Sequence, residues 1–137
     1  MNIGFTGTRK GMTKYQKNKF RSILKKLKTG HHGAFRHGDC IGADEDADSI
    51  VKKEKTLLRI LIHPPISDKD RAFCLSPTFV YPKKPYLVRN KNIVNKCDIL
   101  IACPEGEETL RSGTWSTIRY AFKKGTPTII IPPIERK

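Results

Sequence analysis

Arg111-Ser112-Gly113-Thr114 sets a guanidinium, two hydroxyls and a glycine side by side, just before a segment of helical character that continues through Trp115, Ser116 and Thr117. The stretch leading into it, Ile99-Leu100-Ile101-Ala102, reads as a short apolar strand. It breaks at Pro104 into the acidic turn Glu105-Gly106-Glu107-Glu108. Strand, loop and helix start in that order make a ready anion site. The first N–H groups of a helix lack intrahelical acceptors and lie at the positive end of its dipole. Gly113 lets a ligand approach the main chain, the hydroxyls of Ser112, Thr114, Ser116 and Thr117 can donate, and Arg111 offers a two-pronged fork for phosphate or carboxylate. The plainer alternative is a capped helix after a surface loop.

The rest of the chain supplies the elements that must hold this stretch. Asn2-Ile3-Gly4-Phe5-Thr6 reads as a first strand ending in the loop Gly7-Thr8-Arg9-Lys10-Gly11. A capping box, Thr13-x-x-Gln16, opens a helix whose apolar stripe is Phe20, Ile23, Leu24 and Leu27, with Gly30 to end it. Ala34-Phe35-Arg36-His37 is a second strand, followed by a loop to Gly42. A helix then starts with the acids Asp44, Glu45 and Asp46 opposing its dipole and with Ala43, Ala47, Ile50 and Val51 as its buried face. Residues 57–62 make a third strand. Residues 64–85 are rich in proline and have no clear period, and so read as an irregular insert serving as a lid or subunit contact.

A short helix over 86–96 carries Arg89 and Asn90 in its first half, and a strand over 98–103 follows. The last helix, 114–124, is expected to bury Trp115, Ile118 and Phe122. The last strand, 127–131, reads as fully buried. Alternating units with nearly continuous apolar strands predict one α/β domain over 1–137. Its fold is a Rossmann-like three-layer sandwich, with a mostly parallel five-stranded sheet and helices on both faces. If the first and fourth strands are neighbours, right-handed crossovers bring three loops to one edge, namely Gly7-Thr8-Arg9, the segment 37–44 and the segment 104–117.

The net charge of +14 over 137 residues is uneven. Residues 1–38 hold ten Lys or Arg and no acid, and residues 71–96 hold six and no acid. Such a surface attracts polyanions, either nucleic acid or small phosphorylated ligands. Aromatic residues are few and not interleaved with the lysines, so a base-stacking platform is not evident. No run of about 18 apolar residues is present, and no secretory signal precedes the first strand. The expected setting is therefore cytoplasmic, without a membrane, with Cys40, Cys74, Cys97 and Cys103 as free thiols.

Several chemistries fail on spacing. There is no Gly-Lys-Ser/Thr for a phosphate-binding P-loop, no GxGxxG after the first strand and no GxSxG nucleophile elbow. His31, His32, His37 and Cys40 fit no strong zinc pattern, so neither a metal nor a resident cofactor is expected.

The first strand ending Gly-Thr-Arg, the HGDCIGADEDA segment, the Arg89-Asn90 pair ahead of CDILIACPEG, and SGTW opening a helix together resemble the SLOG superfamily of Rossmann-like domains. That group joins the DNA-processing SMF proteins and the LOG phosphoribohydrolases, and the chain looks most like its small single-domain YspA-like bacterial and phage members. The likeness covers most of the chain outside roughly 64–85. It implies a nucleotide or nucleotide-derived ligand at the C-terminal edge of the strands. Gly7, Thr8 and Arg9 would form one wall and Gly38, Asp39, Gly42 and Asp44 another. Arg89 and Asn90 would approach from the side, and Pro104, Arg111, Ser112, Gly113, Thr114 and Trp115 would lie around the phosphate.

LOG hydrolases carry PGGxGTxxE. Here the glutamate position is Thr117, and Pro104 and Gly106 are displaced by a longer acidic insert. A threonine cannot supply the carboxylate that supports glycosidic cleavage. The resemblance therefore implies a sensor or sequestering protein for a phosphorylated or ADP-ribose-like molecule, in phage-defence signalling, acting as a homodimer or higher homo-oligomer. Two alternatives stand beside it. One is a phosphoribohydrolase of nucleoside 5′-monophosphates, with Asp44 and Arg89 as catalytic candidates. The other is a single-stranded nucleic-acid binder using the lysine faces of 10–28 and 83–96.

Overall fold

The structure, a computed structural model, describes residues 1–27, 33–54 and 56–135. Gly30, His31 and His32 lie outside the described residues. Eleven elements follow in order: β1 (Asn2–Gly7), α1 (Lys14–Lys26), β2 (Ala34–His37), α2 (Ala43–Lys53), β3 (Arg59–Ile62), a 3-10 turn (Asp68–Asp70), β4 (Phe79–Val80), α3 (Tyr86–Lys96), β5 (Ile99–Cys103), α4 (Gly113–Lys124) and β6 (Thr128–Ile130). They form a six-stranded, wholly parallel sheet in the order β4-β3-β2-β1-β5-β6. The architecture is Rossmann-like α/β as expected, with β1 and β5 adjacent at the point where the winding reverses.

Strand alternation decides which helices meet which face. Ile3, Phe5, Phe35, Ile60, Ile62 and Ile101 point to the side of α1 and α2, where they pack with Phe20, Leu24, Ala47, Ile50 and Val51. The rings of Phe5, Phe20 and Phe35 meet there at 5.5–5.9 Å. On the other side Leu100 packs with Ile93, Val94 and Ala121 of α3 and α4. α1 begins at the expected capping box: Thr13 Oγ1 accepts from the Gln16 N–H at 3.1 Å, and Gln16 Oε1 accepts from the Thr13 N–H at 3.0 Å. The amide of the same Gln16, fully buried, donates to the carbonyls of Pro104 and Ile131 at 2.9 Å each. α1 is thereby tied to the ends of β5 and β6.

Four expectations are corrected. The sheet has a sixth strand, because Phe79-Val80 adds to β3 inside the stretch read as irregular. Two residues are too short to show a period. β6 is a half-buried edge strand rather than a fully buried one, since only β5 pairs with it. β3 starts at Arg59 rather than at residue 57, and Leu57 is exposed. Phe122 is 59 % exposed, because the inward stripe of α4 runs through Thr114, Thr117, Ile118 and Ala121.

The 64–85 insert is anchored from below. Asp39, fully buried with φ 55°, receives Arg71 Nε at 2.8 Å and the Cys74 N–H at 2.9 Å, while its carbonyl accepts from the Ala72 N–H at 2.7 Å. Removing one member of a buried pair leaves the other unsatisfied, at several kcal/mol. Asp39→Ala is therefore expected to free the segment around Arg71, seen as faster limited proteolysis between residues 66 and 80 while the α-helical circular dichroism is kept.

Gly42 has φ 94°, and a Cβ there would lie 2.3 Å from the Arg9 carbonyl oxygen, whereas a Cβ on Gly113 would meet nothing within 4 Å. Gly42→Ala should cost about 2–3 kcal/mol. Gly113→Ala should stay within about 0.5 kcal/mol of wild type. Urea unfolding of the two variants checks the contrast.

Candidate functional site

A cleft of about 620 Å³ opens at the C-terminal ends of β1 and β5. Phe5 and Thr6 lie at its base. Its walls come from the β1–α1 loop (Gly7, Thr8, Arg9, Lys10), the β2–α2 segment (Gly38, Cys40, Asp44), the start of α3 (Tyr86, Leu87, Arg89, Asn90, Ile93), and the β5–α4 loop with the first turn of α4 (Glu105, Thr109, Arg111, Ser112, Gly113, Thr114). Eleven of the residues named from sequence thus share one cavity: Gly7, Thr8, Arg9, Gly38, Asp44, Arg89, Asn90, Arg111, Ser112, Gly113 and Thr114.

The start of α4 has the geometry of an anion site. Ser112 is its N-cap and accepts from the Trp115 N–H at 3.2 Å. Among the described residues no acceptor meets the N–H groups of Gly113 and Thr114, as expected for the first positions of a helix. Arg111 is exposed and makes no hydrogen bond or ion pair among the described residues. Trp115, half-buried, does not reach the cleft. Its Nε1–H donates to the Gly106 carbonyl at 3.1 Å and so orders the acidic turn. Thr117 is buried and its hydroxyl donates back to the Gly113 carbonyl at 2.9 Å, so the position that carries glutamate in LOG hydrolases holds a satisfied hydroxyl within the helix.

Opposite lies a cationic rim. Arg9 stacks on the Tyr86 ring at 4.4 Å and pairs with Asp70 at 3.2 Å, and the Tyr86 hydroxyl donates to the same carboxylate at 3.2 Å. Lys10 pairs with Glu105 at 2.7 Å across the mouth, and that hydrogen bond raises the Lys10 pKa. Sequence reasoning missed Lys10, Tyr86 and Glu105. Their signal was position: Lys10 follows Gly-Thr-Arg, and Tyr86 follows Pro85 at a helix start.

The two catalytic candidates are already engaged. Asp44 is buried, and its Oδ2 accepts from the Gly38 N–H at 3.1 Å and the Cys40 N–H at 3.2 Å. Burial raises its pKa, against the opposing pull of His37, Arg89 and those two N–H groups. Arg89, also buried, donates from NH1 to the carbonyls of Gly38 (2.6 Å) and His63 (3.1 Å), and from NH2 to Cys40 Sγ (3.1 Å). A Cβ on Gly38 would fall 2.0 Å from that guanidinium, so the glycine is required by Arg89 itself. Burial, with the Asp44 charge, pushes the Cys40 thiol up and keeps it protonated.

Asp39, Gly42 and Pro104 do not line the cleft. Asp39 clamps the insert, Gly42 clears the Arg9 main chain, and the Pro104 carbonyl accepts from Gln16. Among the described residues, His37, Asp48 and Cys74 form a group close enough to share an ion. His37 Nδ1 accepts from the Asp39 N–H at 2.9 Å, so Nε2 carries the proton and donates to Asp48 at 2.8 Å. Neither ring nitrogen keeps a lone pair for a metal.

No protein-family model and no curated protein matches the chain. Solved structures do match. The molybdenum cofactor binding protein from the phototrophic bacterium Rippkaea orientalis is 22% identical, with a TM-score of 0.69 over 96% of this chain and 76% of its own. The Moco carrier protein from Chlamydomonas reinhardtii is 18% identical, with a TM-score of 0.67 over 95% of this chain and 75% of its own. The structural-genomics target TM1055 is 15% identical, with a TM-score of 0.61 over 93% of this chain and 71% of its own. The chain shares its Rossmann-like α/β fold with these three structures.

Proposed function

We propose that the protein binds a nucleotide or nucleotide-derived phosphorylated molecule in the cleft and holds it unaltered, as a sensor or sequestering protein. The observation that carries this is the start of α4. Its two unclaimed N–H groups and the unpaired Arg111 face the same cavity as Arg9 and Lys10. Anions at a helix N-terminus gain about 0.3–1 kcal/mol from the dipole. Hydrogen bonds to a charged group add about 1.5–3 kcal/mol each. The Tyr86 ring carries the guanidinium of Arg9 at 4.4 Å and that of Arg89 at 5.0 Å, and so fixes two cations beside the cavity.

Holding is favoured over cleavage by the state of the acids. Asp44 Oδ2 is held by two main-chain N–H groups, Glu105 is paired with Lys10, and Thr117 has no carboxylate. The likeness to a molybdenum cofactor binding protein and a Moco carrier protein supports the same reading and adds that cofactor to the ligands worth testing. The resemblance to small phage members extends the proposal to phage-defence signalling in the cytoplasm. Exposed Leu87, Val88 and Phe122 on α3 and α4 support self-association as part of it.

The deciding experiment incubates the protein with nucleoside monophosphates, ADP-ribose, cyclic nucleotides, NAD and molybdenum cofactor. The protein is then filtered away and denatured, and both fractions are chromatographed. One compound depleted from the filtrate and released intact is the expected outcome. Free base with ribose 5-phosphate would overturn holding in favour of hydrolysis, with Asp44→Asn then expected to abolish turnover. For whichever compound binds, Arg111→Ala should weaken affinity about 10–100-fold with an unchanged melting temperature.

A further inference from the structure

Arg36 sits in mid-β2, and the sheet register puts it in one cross-strand row with Leu100 and Gly4 on one side and Leu61 and Phe79 on the other. α3 covers the Gly4 part of this row so closely that a Cβ there would fall 2.8–3.0 Å from Cys97 and Ile93. Beyond that cover Arg36 is roofed by two rings. Its NH1 lies 3.1 Å from His63 Nε2 and 3.1 Å from the Tyr81 hydroxyl, and the rings stack at 4.3 Å and 14°. A guanidinium only donates, so His63 Nε2 accepts and the ring is neutral with its proton on Nδ1.

Arg36 is therefore a cation only 9 % exposed, hydrogen-bonded to neutral groups, with its Nε unpartnered and no ion pair among the described residues. Such a charge is costly without a counter-charge. What surrounds it adds more cation. Lys96, at the end of α3, holds its ammonium 5.7 Å from the Tyr81 ring, and Phe79, 52 % exposed, meets that ring edge-on at 4.8 Å. Burial, and then the charges of Arg36, Lys96 and Arg89 together with titratable His37, push the His63 pKa down to about 3. The Arg36 hydrogen bond, with the charges of Arg36, Lys96 and Arg59, lowers that of Tyr81 against its burial.

We propose that the surface over Arg36 is a second anion site, separate from the cleft, in which Lys96 and the Tyr81 hydroxyl bind a phosphate group and the Arg36 charge beneath them holds it there, with Phe79 and Tyr81 as the apolar wall beside it. It does not rest on the ligand assigned to the cleft. The phosphate has two sources, a free phosphate monoester or the phosphodiester of a single-stranded nucleic acid, for which aromatic side chains beside cations are the usual platform.

The test follows the His63 imidazole resonance by NMR while inorganic phosphate is added, with chloride at equal ionic strength as control. A saturable shift and a raised His63 pKa are expected, because a bound anion offsets the cations that depress it. The shift should persist in Arg111→Ala, which disables only the cleft. It should weaken about tenfold in Lys96→Ala and in Tyr81→Phe. These two positions carry the test even if Arg36→Gln fails to fold. A shift absent with phosphate, equal with chloride, lost in Arg111→Ala or unaltered in Lys96→Ala and Tyr81→Phe overturns the site. An oligothymidylate that displaces phosphate assigns the site to phosphodiester, and one that does not assigns it to the monoester.

Discussion

The peptide groups flanking Thr8 hold the functional edge together. The Thr8 N–H donates to the Cys103 carbonyl at the end of β5 (3.1 Å), and the Thr8 carbonyl accepts from Ala43 at the start of α2 (2.9 Å) and from Gly11 (3.2 Å). Three loops from distant parts of the chain are thus pinned through one short segment of β1–α1 backbone. Gly42 must be glycine because α2 begins against the Arg9 main chain, and a side chain at Gly7 would strike Ala43. The cleft has its shape because these crossings admit no Cβ. Buried main-chain groups that find such partners are the rule, and a loop that loses them loses its position.

Around that point the polar residues divide into those that build the cleft and those that face it. Asp44 satisfies the N–H groups of the 38–40 turn, Arg89 satisfies carbonyls at the ends of β2 and β3, and Gln16 satisfies those beyond β5 and β6. Asp44 does so through Oδ2 alone, and Arg89 gives NH1 to those carbonyls and NH2 to Cys40 Sγ while its Nε stays unpartnered. What remains toward solvent is of one kind: N–H groups, Arg111, Arg9 and Lys10, the last two held at the rim by Asp70 and Glu105. An anion entering the cleft would meet Arg111 bare and compete with two carboxylates for Arg9 and Lys10.

The strand–loop–helix edges were legible in the sequence because their requirements are local. A capping box, a glycine where backbones touch and an apolar tetrapeptide each leave a mark within a few residues. The Arg111–Thr114 stretch was readable for the same reason. Asp39 and Gly42 share a motif with Gly38 and Asp44, yet one anchors the insert and the other clears a neighbouring loop. Spacing alone cannot distinguish a residue that meets a ligand from one that meets another part of the chain. β4 was invisible because two residues show no periodicity, and without β4 nothing brings Tyr81 to Arg36. The aromatic residues judged not to be interleaved with the basic ones are interleaved in space, across β2, β3 and β4.

The position of β1 in the sheet also orders events during synthesis. β1 leaves the ribosome before the other strands of the sheet, yet it is central, and its second neighbour, β5, ends only at Cys103. Until then Phe5 and Ile3 have β2 on one side and an open edge on the other, and the Thr8 N–H lacks its acceptor. Parallel pairings of such large sequence separation form late and leave apolar edges exposed meanwhile. The ten positive charges with no acid in residues 1–38 lie on the portion of chain that must wait longest. Mutual repulsion between nascent chains at that stage would keep their unpaired edges apart.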